Sequence, residues 1–244
     1  MPATNAILSG VFDALVPVEG FGRMRISEHI YLYLWDQQRE NNCNSLVIDG
    51  KVPLLIDPGH LHRVPHLFDR MRADGFDPDK VKAVICTHGH PDHFEGTLAF
   101  QKAPVKIGIS REEERFIEDV GRTAYLEQGM PMPDFRVDFY LQEGTLDVGR
   151  HEFEVLLTPG HSPGSLCLYW PRHGVLIAGD VVFTRGVGRT DLPGGNSEEL
   201  VKSLDRLSEL RAEILIPGHG PAIQGEKDIK ANFAFVKRAY TGSL

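Results

Sequence analysis

Cysteine is scarce in this chain of 244 residues: Cys43, Cys86 and Cys167 stand far apart. That count and spacing exclude a disulfide framework and a CxxC zinc site, and suit a reducing, cytoplasmic setting. Long apolar runs are missing too, since none approaches the roughly 18 residues of a membrane span. The opening stretch Met1–Pro17 lacks a basic start and is interrupted by Asp13, so no signal peptide is read there. Positive charge is in deficit. A net charge of −8 argues against a general nucleic-acid surface. Neither a low-complexity segment nor a convincing linker breaks the chain. What remains is an ordinary globular composition, 41% hydrophobic and 25% charged, long enough to bury a full core as one large domain.

Histidine is concentrated in one place. Thr87-His88-Gly89-His90-Pro91-Asp92-His93 packs three imidazoles and a carboxylate into six residues, directly after the apolar run Val81–Cys86. In an extended segment alternate side chains share a face, so His88 and His90 can grip one ion. Pro91 disfavours helix at His90 and favours it afterwards, which turns Asp92 and His93 toward a second ion. Imidazole suits zinc, iron, copper or nickel, and mixed imidazole and carboxylate ligation suits zinc or iron.

Four short apolar strands are read as ending at Thr87-His88, Thr158–His161, Gly179-Asp180 and Pro217–His219, and a fifth ends at Asp57. Continuous apolar runs of this kind mark strands buried on both faces. Ligand sites of α/β sheets lie just beyond such strand ends, so His161, Asp180 and His219 are expected to join the motif in one convergent site. Asp57 is read either as a carboxylate orienting a ligand imidazole or as simple turn chemistry.

Elsewhere the spacing predicts strand character over Ile26–Trp35, with Tyr31, Tyr33 and Trp35 in alternation. A hairpin, Ser45–Ile48 with Val52–Ile56, turns at Asp49-Gly50. Helices are predicted over Leu61–Ala73, from Ser110 with Glu113 as capping box through Val120, from Asn196 with Glu199 as cap, and over Glu226–Ala239. Gly121–Asp138 reads as irregular, either a substrate lid or a plain surface connection. Two similar halves are expected, divided near residue 148 of a single domain covering 1–244. His60, His62 and His66 are read as solvated, and Cys86 and Cys167 as buried core thiols.

Together Leu55-Ile-Asp57-Pro-Gly59, Thr87–His93, Thr158-Pro-Gly-His161, Gly179-Asp180 and Gly218-His219 resemble, in order, the metallo-β-lactamase superfamily, and within it the glyoxalase II-like hydrolases. The resemblance runs from about residue 45 to 220. It implies an α/β (α+β) fold, a four-layer αββα sandwich with its site at one sheet edge. Carried over by position, His88, His90 and His161 would hold a first metal, Asp92, His93 and His219 a second, and Asp180 would bridge them. Two divalent ions are implied, zinc foremost, with iron or manganese as alternatives.

The resemblance also sorts the chemistry. Lactam-hydrolysing members lack a bridging aspartate at position 180, and flavodiiron proteins carry glutamate at position 90, so neither activity is expected. Gly188–Asn196 resembles a stretch of short bacterial glyoxalase II-like proteins. A related Gly-Arg-Thr-Asp occurs in persulfide dioxygenases, which use one iron at the positions of His88, His161 and Asp180. Full-length glyoxalase II carries a helical C-terminal domain that helps bind the glutathione thioester, whereas 25 residues follow His219 here. The expected activity is metal-dependent hydrolysis of a thioester or lactone, with Asp92 also catalytic in orienting the nucleophile or shuttling a proton. The alternatives are a mononuclear iron persulfide dioxygenase and a non-catalytic metal-binding module. The expected partner is a small-molecule substrate, not nucleic acid or membrane, and a homo-oligomer is compatible.

Overall fold

Strands whose two faces are both covered read as unbroken apolar runs, and here the alternation inside each run sorts side chains between two cores. The structure, a computed structural model, describes residues 16–18, 21–27, 30–35 and 40–241, apart from residues 102, 128, 130 and 150. The stretch read as lacking a targeting signal and the histidine at position 29 lie outside the described residues, except for Val16 and Pro17.

The first sheet holds β1 (Val16–Val18), β2 (Phe21–Ser27), β3 (Ile30–Trp35), β4 (Ser45–Ile48), β5 (Leu54–Ile56), β6 (Ala83–Ile85), β7 (Lys106–Ser110) and β8 (Phe139–Leu141), in sequence order. It is an antiparallel meander from β1 to β5 and parallel from β5 to β8. The second sheet is built from β9 (Gly144–Val148), β10 (His151–Leu157), β11 (Leu166–Trp170), β12 (Val175–Gly179), β15 (Ile214–Pro217) and β16 (Ile223–Gln224), in the order β16-β15-β12-β11-β10-β9. Between β12 and β15 lie a small hairpin, β13 (Val182–Phe183) with β14 (Gly186–Val187), and a helix.

Among the described residues there are six α-helices: α1 (Val64–Ala73), α2 (Pro91–Phe94), α3 (Arg111–Phe116), α4 (Arg122–Glu127), α5 (Ser197–Ser208) and α6 (Glu226–Thr241). Leu54, Ile56, Ile85, Val175, Ile177, Ile214 and Ile216 face the core between the sheets. Their neighbours Leu55 and Val84 pack outward with Leu67 and Met71 of α1. Leu176 and Leu215 pack outward with Leu200, Leu204, Phe233 and Val236 of α5 and α6. The result is the four-layer αββα arrangement. No helix of the described residues is long and apolar enough to cross a membrane.

Several predicted elements shift. The second hairpin strand starts at Leu54, because Val52 and Pro53 extend the turn. The strand predicted over Ile26–Trp35 is divided between the end of β2 and β3, while Tyr31, Tyr33 and Trp35 do share the outer face. Gly121–Asp138 is not irregular throughout. A π-helical turn, Ile117–Gly121, joins α3 to α4, so helical structure continues to Glu127. The glycine is tolerated there because neighbouring turns of the same helix support it.

Candidate metal centre

The site is assembled from the loops that leave β5, β6, β10, β12 and β15. After β5 the chain turns at Asp57, whose φ of 52° is left-handed, a conformation that aspartate tolerates better than most residues but that still costs about 1–3 kcal/mol. The turn aims its carboxylate inward. Oδ1 accepts the Thr87 backbone N–H at 2.7 Å, and Oδ2 accepts the Thr87 hydroxyl at 2.7 Å. Oδ2 also lies 3.0 Å from His93 Nδ1. Both readings of Asp57 therefore hold: the strained turn is what presents the orienting carboxylate.

After β6, His90 is extended, with φ −72° and ψ 145°, and Pro91 opens α2, which carries Asp92 and His93. The motif thus changes direction where the proline predicts. His161 sits in the loop between β10 and β11, Asp180 directly follows β12, and His219 follows β15.

All seven predicted residues converge, in three overlapping groups: His88, His90 and His161; His88, His93 and Asp180; Asp92, His93 and His219. His90 Nδ1 and His161 Nε2 are 2.8 Å apart. His93 Nε2 and His219 Nε2 are 3.3 Å apart, and His219 Nε2 is 3.2 Å from Asp92 Oδ2. Asp180 faces both groups. Its Oδ2 lies 3.5 Å from His161 Nε2 and 3.4 Å from His219 Nε2, and its Oδ1 lies 3.3 Å from His93 Nε2. The outer nitrogens are committed elsewhere. His161 Nδ1–H donates to the Arg189 carbonyl at 2.8 Å, and His93 Nδ1 is held by Asp57, so both Nε2 atoms turn inward.

Whether these residues suit a cation can be judged from their unspent polarity. His88 Nε2 and Asp180 Oδ1 are buried with no hydrogen-bond partner, which is costly unless a ligand completes them. Nitrogen and carboxylate donors without thiolate fit zinc, iron or manganese. Cys43, Cys86 and Cys167 are buried and belong to none of the three groups; burial pushes all three thiols up.

Electrostatics divide the site. Burial pushes His88 well below its ordinary value, and burial followed by the charge of His161 takes His90 down to about 4. His161 is lowered, again chiefly by burial. For His93 burial works in the same sense, but Asp180 and Asp57 outweigh it and the imidazolium is strongly favoured. His219 is likewise opposed by burial, yet its bonds to Asp180 and Asp92 raise it to about 9. Burial disfavours charge on Asp92 and Asp180. The His219 bond and the His93 charge nevertheless bring Asp92 to about 2, and His93 with His219 holds Asp180 well below its ordinary value.

Two supports escaped the sequence reading. Ser110 does cap α3, its hydroxyl accepting the Glu113 N–H at 3.2 Å, but the Glu113 carboxylate does not close a capping box. It is fully buried and accepts the Gly89 N–H and the Gly164 N–H, each at 2.6 Å, tying the His88–His90 loop to the loop after His161. Asn44 does the same for His219. Its side-chain amide donates to the Pro217 and Gly220 carbonyls at 2.9 and 2.8 Å, across the two sheets. Both bonds span long stretches of sequence, so no local spacing announces them.

Two glycines make close approach compulsory. A Cβ at Gly218 would lie 2.1 Å from Asp180 Oδ1, and one at Gly188 would lie 1.9 Å from the Asp180 carbonyl oxygen. Gly188–Asn196 therefore wraps the Asp180 and His161 loops before Asn196 caps α5, accepting the Glu198 and Glu199 N–H groups. His60, predicted to be solvated, is half-buried: its Nδ1 lies 2.9 Å from Glu95 Oε2. His62 and His66 stay exposed.

With this geometry in place, comparison with known proteins is informative. Residues 39–219 match the family described as the metallo-beta-lactamase superfamily. The chain belongs to the metallo-beta-lactamase superfamily. Within the superfamily it is 33% identical to hydroxyacylglutathione hydrolase GloC of Haemophilus influenzae, over 74% of this chain and 86% of that protein. It is 29% identical to acyl-coenzyme A thioesterase MBLAC2 of Gallus gallus, over 84% of this chain and 83% of that protein. Among solved structures, TTHA1623 in a di-iron-bound form superposes with a TM-score of 0.62 at 32% identity, covering 75% of this chain and 89% of that one. These relationships identify a metal-binding hydrolase family of glyoxalase II-like type.

Proposed function

We propose that this chain hydrolyses an acyl compound, a thioester or a lactone, with two divalent ions. His88, His90 and His161 would hold one ion, Asp92, His93 and His219 the other, and Asp180 would be shared. The observation that carries this reading is the Asp180 carboxylate, whose Oδ2 stands within 3.5 Å of His161 Nε2 and 3.4 Å of His219 Nε2. One carboxylate in reach of both histidine groups is the arrangement a bridged pair requires. Likeness to a hydroxyacylglutathione hydrolase and to an acyl-coenzyme A thioesterase supports the substrate class. Zinc is the leading candidate, and the di-iron relative keeps iron beside it.

When bound, such ions supply Lewis acidity and bring the pKa of a water to about 7. The chain's own residues do the rest. Asp57 and the Arg189 carbonyl fix the His93 and His161 rings, so that their Nε2 atoms need no reorientation. Asp92 is ionised and accepts the Asn41 side-chain amide at 2.5 Å, which leaves it suited to orient a water, while its lowered pKa makes it a weak base.

Elemental analysis of protein purified without added metal tests the proposal. Two ions per chain are expected, with oxygen-independent thioester or lactone hydrolysis that His88→Ala and Asp180→Ala both abolish. Unchanged turnover in both variants would overturn it. One iron per chain with oxygen consumed on glutathione persulfide would replace it by the dioxygenase reading, to which Gly188–Asp191 also lends itself. Background activity on thioesters, lactones and phosphodiesters at full metal loading would leave a binding module.

A further inference from the structure

An open pocket of about 370 Å³ adjoins the centre, and of the seven site residues only His90 lines it. Pro91 and Phe94 form one wall, Leu192 another, and Phe116, Val120 and Ala124 the third. Positions 116, 120 and 124 recur every four residues and so share one face of the helical stretch that runs from α3 through the π turn to α4. Gly121 and Ala124 are the small residues on this wall, which leaves the volume open. The polar groups of the pocket are spent on one another. The Tyr125 hydroxyl donates to Glu95, whose other oxygen lies 2.9 Å from His60 Nδ1. No lysine or arginine is among the lining residues described.

We propose that this pocket receives an apolar acyl chain, setting the carbonyl of the substrate beside His90 while the polar thiol or alcohol part stays outside; this rests on the hydrolase reading above. The volume falls within the roughly 300–1,000 Å³ of small-molecule sites, and an apolar wall with a few placed polar groups is their usual lining. A polar or anionic leaving group would meet apolar walls and the Glu95 carboxylate, with no lysine or arginine among the described lining residues to offset it. In the reaction on a thioester, the carbon–sulfur bond breaks, water supplies the hydroxyl that joins the acyl carbon, and its remaining proton goes to the departing sulfur. The chain length of the acyl group is then read by the pocket, each buried methylene being worth roughly threefold to fourfold.

The test compares acetyl, butyryl, hexanoyl and octanoyl thioesters of N-acetylcysteamine on the metal-loaded enzyme, together with calorimetric binding of acetate and hexanoate. From acetyl to hexanoyl, kcat/KM is expected to rise on the order of 100-fold, with hexanoate binding more tightly than acetate to a comparable degree. Ala124→Trp, which fills the pocket, should collapse both ratios toward one. Val120→Ala, which enlarges it, should shift the preference to octanoyl, and it serves if the tryptophan variant does not fold. Equal affinity for acetate and hexanoate, or ratios that neither variant moves, would overturn the pocket assignment whatever the thioester rates. A hexanoate preference erased by Ala124→Trp, but without turnover of any thioester or of the corresponding acyl lactones, would sustain the pocket and remove the hydrolase reading instead.

Discussion

The two halves of the centre are built on opposite electrostatic plans. Around His88, His90 and His161, burial and mutual repulsion keep the imidazoles neutral. Around Asp92, His93 and His219, three carboxylates counting Asp57 and Asp180 draw protons onto the imidazoles instead. A neutral imidazole is ready to ligate, whereas an imidazolium must first give up its proton. The first group is therefore prepared for a cation by desolvation. The second is held together without one by proton-mediated pairing. The lesson is that seven similar side chains gathered in one site need not meet a cation alike.

The largest expected effect falls where the two plans meet. Asp180→Asn removes the charge shared by both groups, and we expect turnover to fall on the order of 10³-fold with loss of the second ion, read by steady-state kinetics and metal stoichiometry. Retention of both ions and near-normal turnover would mean that Asp180 does not couple them.

Next come the supports that differ between the halves. Asp57→Asn should weaken the ion near His93 by about 10- to 100-fold, and Glu113→Gln should weaken the ion near His90 and His161 instead. Competitive chelator titration of each variant measures this. If both substitutions loosen the same ion, the division of the site into separately supported halves is wrong.

Proton release gives a third comparison. Because His219 is raised to about 9 while His90 is lowered to about 4, loading the second ion near pH 7.5 should release protons and loading the first should release almost none. Calorimetry in buffers of different ionisation enthalpy reads the protons directly, and equal release for both ions would contradict the contrast.

The smallest effect is on the metal-free chain. Between pH 4 and the ordinary histidine value of 6.5 the unfolded chain binds the proton of His90 more tightly, so stability falls as pH drops through that window. Between pH 6.5 and about 9 the folded chain holds the proton of His219 more tightly, so stability falls as pH rises. His88 and His161 add to the acid limb and His93 to the alkaline one. Thermal unfolding in chelator should show a maximum near pH 6.5. A melting temperature that climbs steadily from pH 5 to 8.5 would show that the alkaline limb is missing.

Much of this was legible beforehand. Runs such as Val84–Cys86 and Ile214–Ile216 are apolar at every position because both faces of each strand are covered, and that pattern needs no partner to be recognised. Pro91 acts on its neighbours through covalent geometry, so the turn that separates His90 from Asp92 and His93 could be read locally. Glu113 shows where local reading ends. Its spacing from Ser110 is that of a capping box, yet its carboxylate is taken by N–H groups 24 and 51 residues away, which short-range geometry cannot anticipate. Gly121–Asp138 departs from its irregular reading for a related reason: the π turn lets the helix continue to Glu127 and carry Ala124 and Tyr125 to the pocket.

Sequence alone thus determined which seven side chains gather, because strand ends and a proline place them by short-range rules. Only the tertiary structure decided how they differ. Burial, the left-handed turn at Asp57, the reach of Glu113 and Asn44, and the pocket beside His90 all depend on which distant segments pack together, and packing sets both the local dielectric and the partners of every polar atom.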